Sequence, residues 1–271
     1  MPFALLGFIL GTLDSGLGIS WRILFLVVLC MVFARSAAMA FNRYLDREID
    51  SKNPRTAVRE IPAGVISPSS ALLFTVASAG LFIATTWFLN FTCFLLSWVA
   101  LAVVLGYSYT KRFTPLCHFV LGLGLALAPV GGYLAVTGQF DLQPILFSIA
   151  VFLWVSGFDI IYALQDEEFD REHRLKSVPA YLGKVKALRL SELLHLVCSM
   201  VMIFATWRLG EENEQLGWVS LASVGLFCTL LFYQHTLVKP DDLRRVNLAF
   251  FTTNGVASLI FCGAVILDFF V

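Results

Sequence analysis

Apolar runs long enough to cross a lipid bilayer recur along this chain from one end to the other. Nine can be delimited: Pro2–Leu13, Arg22–Asn42, Ala71–Leu89, Phe91–Tyr107, Leu116–Val136, Pro144–Tyr162, Ala187–Trp207, Gly217–His235 and Leu248–Val271. Most hold about 17–24 residues, which at about 1.5 Å per residue crosses a hydrocarbon core of about 30 Å. Lipid cannot satisfy backbone polar groups, so such runs must be helices or the strands of a closed barrel. Period-2 alternation is absent, which selects helices. The expected fold is therefore all-α and integral to the membrane. Nine transmembrane helices would surround a central cavity open to the cytoplasmic side, in a single domain spanning residues 1–271. Only 14% of residues are charged, against roughly 25% in soluble domains.

The first run is shorter than the rest. A dozen residues span only about 18 Å as a helix, so it is expected either to tilt in a thinned bilayer or to be the remnant of a longer first helix.

Basic residues orient the bundle. Arg43, Arg47, Lys52, Arg55 and Arg59 follow the second run, and Lys111 and Arg112 follow the fourth. Arg171, Arg174, Lys176, Lys184, Lys186 and Arg189 follow the sixth, and Lys239, Arg244 and Arg245 the eighth. The opposite connections carry only Arg22 and Arg208. The positive-inside rule makes the even-to-odd connections cytoplasmic, with the N-terminus inside and the C-terminus outside. These connections are also the long ones, where function concentrates.

Zero net charge offers no basic field for a nucleic acid partner. The six cysteines lie in or beside apolar runs without CxxC spacing, which excludes zinc and disulfide frameworks. His118 and His235 read as packing residues, His173 and His195 as interfacial ones, and the Glu211–Glu214 cluster as a solvated outer loop.

Two acidic constellations carry the chemistry. Asn42, Asp46 and Asp50 stand four residues apart at the end of the second run. Each step of four advances about 40° past a full helical turn, so the three side chains share one stripe. Asp159, Tyr162, Asp166 and Asp170 form a similar stripe at the end of the sixth run. Carboxylates at this depth are costly and usually line a cavity. Two facing carboxylate stripes repel unless cations lie between them, and hard oxygen ligands suit Mg²⁺, which bridges to phosphate oxygens. The pattern reads as a Mg²⁺–diphosphate clamp at the mouth of a membrane cavity.

These motifs, NxxxDxxxD and DxxYxxxDxxxD, resemble those of the UbiA superfamily of membrane aromatic prenyltransferases. The segments Asn53–Gly64, Tyr107–Arg112 and Ser177–Gly183 resemble the family's loops, most closely those of 4-hydroxybenzoate polyprenyltransferases and of their homologues in menaquinone synthesis through futalosine. The resemblance implies transfer of a polyprenyl group from its diphosphate to an aromatic acid for ubiquinone or menaquinone, in a bacterial plasma (inner) membrane with the active site cytoplasmic.

It further implies that Asp46 and Asp50, with Asp166 and Asp170, hold two Mg²⁺ ions, and that Asn42 and Asp159 orient ligands or metal-bound water. Arg55, Arg59, Lys111 and Arg112 would neutralise the leaving diphosphate. The aromatic faces of Tyr162, Phe158, Phe41 and Trp154 compete to stabilise an allylic cation, and Tyr162 or a carboxylate steers the proton lost from the acceptor. Arg35, seven residues before Asn42 on nearly the same face, would bind the acceptor's carboxylate or else form an ion pair with Asp159 or a helix end. Competing readings are another acceptor, such as a naphthoate, a haem or a glycerol phosphate, and a cation transporter.

Overall fold

A computed structural model describes residues 2–16, 18–213 and 216–270. Among them there is no β-strand, and eight helical spans are long and apolar enough to cross a membrane. The helices are α1 (Pro2–Ser15), α2 (Trp21–Asp50), α3 (Pro68–Trp87), α4 (Phe91–Thr110), α5 (Cys117–Thr137) and α6 (Leu142–Ala163). The short α7 (Glu167–Glu172) and α8 (Val178–Leu182) precede α9 (Lys184–Glu212), α10 (Trp218–Leu237) and α11 (Asn254–Asp268). A 3₁₀ turn, Leu164–Asp166, joins α6 to α7, and a π-helical segment, Leu248–Thr253, leads into α11. Two sequence expectations, Glu214 of the outer acidic cluster and Val271 at the end of the ninth run, lie outside the described residues.

Polar residues at the heads of several helices act as caps. Ser67 Oγ accepts from Ser70 N at 3.1 Å, with Pro68 at the first helical position. Asp141 Oδ1 accepts from Gln143 N at 2.8 Å, and Asn90 Oδ1 from Cys93 N at 2.9 Å. Each side chain satisfies one backbone donor that the helix leaves free. At α10 the cap comes from far away in sequence. Asp268 Oδ2 accepts from Gly217 N and Ser220 N, both at 3.0 Å, and from Ser220 Oγ at 2.6 Å.

α1 has 14 residues, a rise of about 21 Å, and is a core element despite its length. Phe3, Leu6, Phe8 and Leu10 are buried, and the helix packs on α5 and α11. Helices in lipid associate by close packing, which small residues permit. A Cβ on Gly7 would lie 2.0 Å from Pro129 O, and one on Gly132 would lie 2.1 Å from Ala4 O. The two glycines thus let α1 and α5 touch backbone to backbone.

The main core joins these helices to α6, α9, α10 and α11. Its centre is aromatic: Phe3 meets Trp154, Phe227 and Phe261 at ring-centre distances of 5.7, 6.5 and 5.9 Å. Trp154 Nε1 donates to Asn254 Oδ1 at 2.9 Å, and Asn254 Nδ2 donates to Phe250 O at 3.0 Å, so one amide ties the tryptophan to the π-helical segment. His195, expected at the interface, is instead 1% exposed. Its Nε2 donates to Trp154 O at 3.1 Å, and its Nδ1 lies 2.8 Å from His235 Nε2. α2 contrasts with the rest, since only Val27, Ala37 and Asp50 of its 30 residues are buried.

Gly132→Ala places a methyl group against a backbone carbonyl and should cost about 1–3 kcal/mol. Gly131→Ala, whose Cβ meets nothing within 4 Å, should be neutral or gain up to about 1 kcal/mol of helix propensity. Thermal unfolding in detergent would compare them, and equal Tm values for the two variants would refute the close crossing.

Candidate active site

Both acidic motifs end at the same side of the bundle. α2 runs without interruption to Asp50, so Asn42, Asp46 and Asp50 keep the single stripe read from their spacing. The second stripe differs from its expectation. Asp159 and Tyr162 stand on α6, the chain tightens into the 3₁₀ turn ending at Asp166, and Asp170 follows on α7. Continuous α-helical spacing therefore does not describe the whole motif.

Each of the four lower carboxylates is covered by one basic side chain. Arg59 Nη1 donates to both oxygens of Asp50, at 2.7 and 2.9 Å. Arg112 Nη2 donates to Asp46 Oδ1 at 2.9 Å and to Leu45 O at 3.0 Å. Arg55 grips Asp166 side-on, through Nε to Oδ1 at 3.0 Å and through Nη2 to Oδ2. Lys111 Nζ lies 2.7 Å from Asp170 Oδ1. Adjacent residues of the α4–α5 turn thus serve different motifs, Arg112 the first and Lys111 the second. The segment between α2 and α3 does the same, with Arg59 turning back to its own helix end and Arg55 crossing to the other. Burial alone would push the Lys111 ammonium below its ordinary value, but the Asp170 carboxylate outweighs this and holds it above.

Nine of the twelve expected site residues line one cavity of about 230 Å³: Asn42, Asp46, Asp50, Arg55, Arg59, Lys111, Asp159, Tyr162 and Asp166. Asp170 is fully buried behind Lys111, and Arg112 reaches the site only through Asp46. Arg35 does not line the cavity; it is exposed on α2 and makes no ion pair among the described residues. The alternative pairing of Arg35 with Asp159 is not formed; Asp159 Oδ2 is bonded instead to His118 Nδ1 at 2.6 Å.

Of the four aromatic candidates only Tyr162 faces the cavity. Trp154 and Phe158 are buried in the core, and Phe41 packs on Tyr109. Tyr162 stacks on Phe250 with ring centres 4.1 Å apart. Its hydroxyl accepts from Arg55 Nη1 at 2.9 Å, and the Arg55 guanidinium carbon lies 5.2 Å from the ring centre.

Sequence reasoning missed two residues. Asn53 Nδ2 donates to Asp166 Oδ1 at 2.9 Å, and Asn53 Oδ1 accepts from Arg55 N at 3.0 Å, so this side chain presets the Arg55–Asp166 grip. Its position in a short polar stretch after the first motif was the only signal. His118, read as a packing residue, lines the cavity instead. Asn42 Nδ2 donates to Asp46 Oδ2 at 3.0 Å and so orients that carboxylate.

The donor set suits a hard divalent cation. Both buried oxygens of Asp170 lack an aligned hydrogen-bond donor, despite the nearby lysine. Among the described residues no three His, Cys, Asp or Glu side chains converge on one point. Protein carboxylates would therefore fill only part of an octahedral shell, leaving positions for water and phosphate oxygens.

Residues 1–256 match the UbiA prenyltransferase family. The chain belongs to this family. It is a prenyltransferase and a multi-pass integral membrane protein. A 4-hydroxybenzoate octaprenyltransferase of Aliivibrio fischeri strain MJ11 is 31% identical over 247 residues, covering 89% of this chain and 82% of the relative. The apo structure of a UbiA homologue from Aeropyrum pernix K1 superposes with a TM-score of 0.85 at 32% identity, over 98% of this chain and 97% of that one. A UbiA homologue from Archaeoglobus fulgidus, bound to GPP and Mg²⁺, shares the fold with a TM-score of 0.71 at 22% identity, over 100% and 96% of the two chains.

The four ion pairs of this UbiA-family site can be tested without substrate. Lys111→Met leaves Asp170 buried and unpaired, which should cost up to about 3–5 kcal/mol, less the part that water recovers. Adding Asp170→Leu should restore most of the lost Tm, a coupling that a double-mutant cycle measures. Additive losses would show that the pair is not formed.

Proposed function

We propose that this chain catalyses Mg²⁺-dependent transfer of a polyprenyl group from polyprenyl diphosphate to an aromatic hydroxy acid of the 4-hydroxybenzoate type. One observation carries the reading: two aspartate stripes meet at one cavity, and four of their five carboxylates, Asp46, Asp50, Asp166 and Asp170, already hold a cationic side chain suited to phosphate. The name of the Aliivibrio relative and the ligands of the Archaeoglobus homologue support it.

Asp46 and Asp50 on one side, with Asp166 and Asp170 on the other, would hold the metal ions. Bound there, Mg²⁺ supplies Lewis-acid withdrawal of charge from the diphosphate. The chain's own residues do the rest. Arg55, Arg59, Lys111 and Arg112 exchange their carboxylate partners for diphosphate oxygens, and Arg is suited to bidentate phosphate contact. Asn42 and Asn53 hold Asp46 and Asp166 in place during the exchange. The Tyr162 ring, backed by Phe250, faces the carbon that loses the diphosphate, where a π-face favours positive charge. Arg35 stands outside the clamp cavity, about 10 Å along α2 from Asn42, and in this proposal it binds the carboxylate of an acceptor that reaches beyond the clamp; the ring carbon beside the acceptor's hydroxyl bonds to the prenyl carbon before losing its proton.

The proposed setting is a bacterial inner membrane, with α1 as a ninth span, the cavity open to the cytoplasm, the N-terminus inside and the whole chain acting as one domain. The basic connections support this orientation. The product then enters quinone synthesis, of the ubiquinone or menaquinone type.

Protein purified in detergent, given Mg²⁺, geranyl diphosphate and a panel of benzoic and naphthoic hydroxy acids, should form a prenylated acid. EDTA should abolish the product, and Asp46→Ala and Asp166→Ala should each lower kcat about 100-fold or more. Wild-type turnover by those variants would sink the clamp. Arg35→Ala should raise the acceptor KM about ten-fold with the donor KM unchanged; an unchanged acceptor KM rejects that role.

A further inference from the structure

Asp159 differs from the other four aspartates in both depth and partner. It precedes Asp166 by two turns, about 10 Å along the helix, so it lies below the diphosphate clamp in the same cavity. Its partner is His118, the second residue of α5, and among the described residues no arginine or lysine bonds it.

The ring's tautomer follows from its two bonds. The Val178 amide N–H donates to His118 Nε2 at 3.2 Å, so this nitrogen carries a lone pair. The proton of the neutral ring is then on Nδ1, which donates to Asp159 Oδ2 at 2.6 Å. Among the described residues Asp159 Oδ1 has no hydrogen-bond partner, and it is open to accept. A buried imidazole with both nitrogens engaged has no freedom to turn: His118 is 3% exposed.

His118 also stands where three pieces of the site converge. Lys176 N donates to Lys111 O at 2.7 Å, and Lys176 Nζ donates to Phe113 O at 3.1 Å, which laces the α7–α8 loop to the α4–α5 turn. Two residues on, Val178 bonds His118, and His118 bonds α6 through Asp159. One ring therefore links the loop after the second motif, the turn carrying Lys111, and the deep carboxylate.

We propose that His118 is a positioning residue for the acceptor: it ties off one oxygen of Asp159 and presents the other to the ring hydroxyl of the aromatic acid. The inference rests on the function proposed above. Diphosphate is held by the clamp about two turns away, so the group beside Asp159 is the acceptor. A hydroxyl donating to Oδ1 turns the ring so that the carbon next to it faces the prenyl chain.

Steady-state kinetics with each substrate varied in turn tests this in the full-length protein. Wild-type prenylation of an aromatic hydroxy acid establishes the parent reading, and its absence would be a failure of that reading alone. His118→Leu, or the more pliable His118→Met, should lower kcat/KM for the acceptor about ten-fold or more and leave the donor KM within about two-fold. His118→Gln, whose amide offers both a donor and an acceptor, should recover most of the loss. Asp159→Asn, nearly isosteric, should show the same acceptor-only loss, and adding His118→Leu to it should bring little further loss. The proposal is overturned if Asp159→Asn leaves the acceptor parameters unchanged, if the apolar His118 variants fold and keep them, or if donor KM rises in step with acceptor KM.

Discussion

Where α2 and α6 reach the edge of the bundle, negative charge meets positive charge four times. A lone carboxylate in that setting is costly, and removing one member of a buried pair costs more than the pair contributes. The chain answers by bringing its long connections back over the helix ends. Arg55 and Arg59 come from one connection and Lys111 and Arg112 from another, so both loops are shaped by the carboxylates they must reach. The four clamp carboxylates are thereby balanced, with the cations suited to diphosphate already present and engaged.

Much of this was legible in the sequence, and what was legible was local. Asn42, Asp46 and Asp50 share a face because four-residue spacing on an unbroken helix requires it. The apolar runs marked the helices because lipid leaves the backbone no other choice. The misses come from contacts that span the chain. The Arg55–Asp166 pair joins residues more than a hundred positions apart, and no spacing rule encodes which arginine meets which aspartate. The 3₁₀ turn before Asp166 broke the arithmetic applied to the second motif, since a tighter turn rotates each later residue by more than an α-helix would. His118 was hidden by its apolar neighbours, which are the ordinary surroundings of a packing histidine. Arg35 keeps its expected face on α2, but a face does not fix depth or partner.

The site also depends on the core behind it. Trp154, Phe158, Phe250 and Tyr162 form a series of ring contacts from the centre of the bundle to the cavity, with centre distances of 5.2, 5.3 and 4.1 Å. Phe250 takes part because the chain is π-helical there, a local widening often found beside functional sites. Asn254 steadies that segment through Phe250 O and fixes Trp154 by the same amide. Tyr162 is therefore backed by a rigid surface, and a substitution as remote as Asn254 would loosen the ring that faces the cavity.

The cap of α10 bears on how such a bundle is assembled. The carboxylate that satisfies Gly217 N and Ser220 N belongs to Asp268, some fifty residues later in the chain. During synthesis α10 enters the membrane with those amides still bare, and they find their partner only when α11 has crossed beside it. The last two helices are thus tied at one end by a cap worth about 1 kcal/mol, which the first of the pair gains only with the second. Until then, water must satisfy the amides at the head of α10.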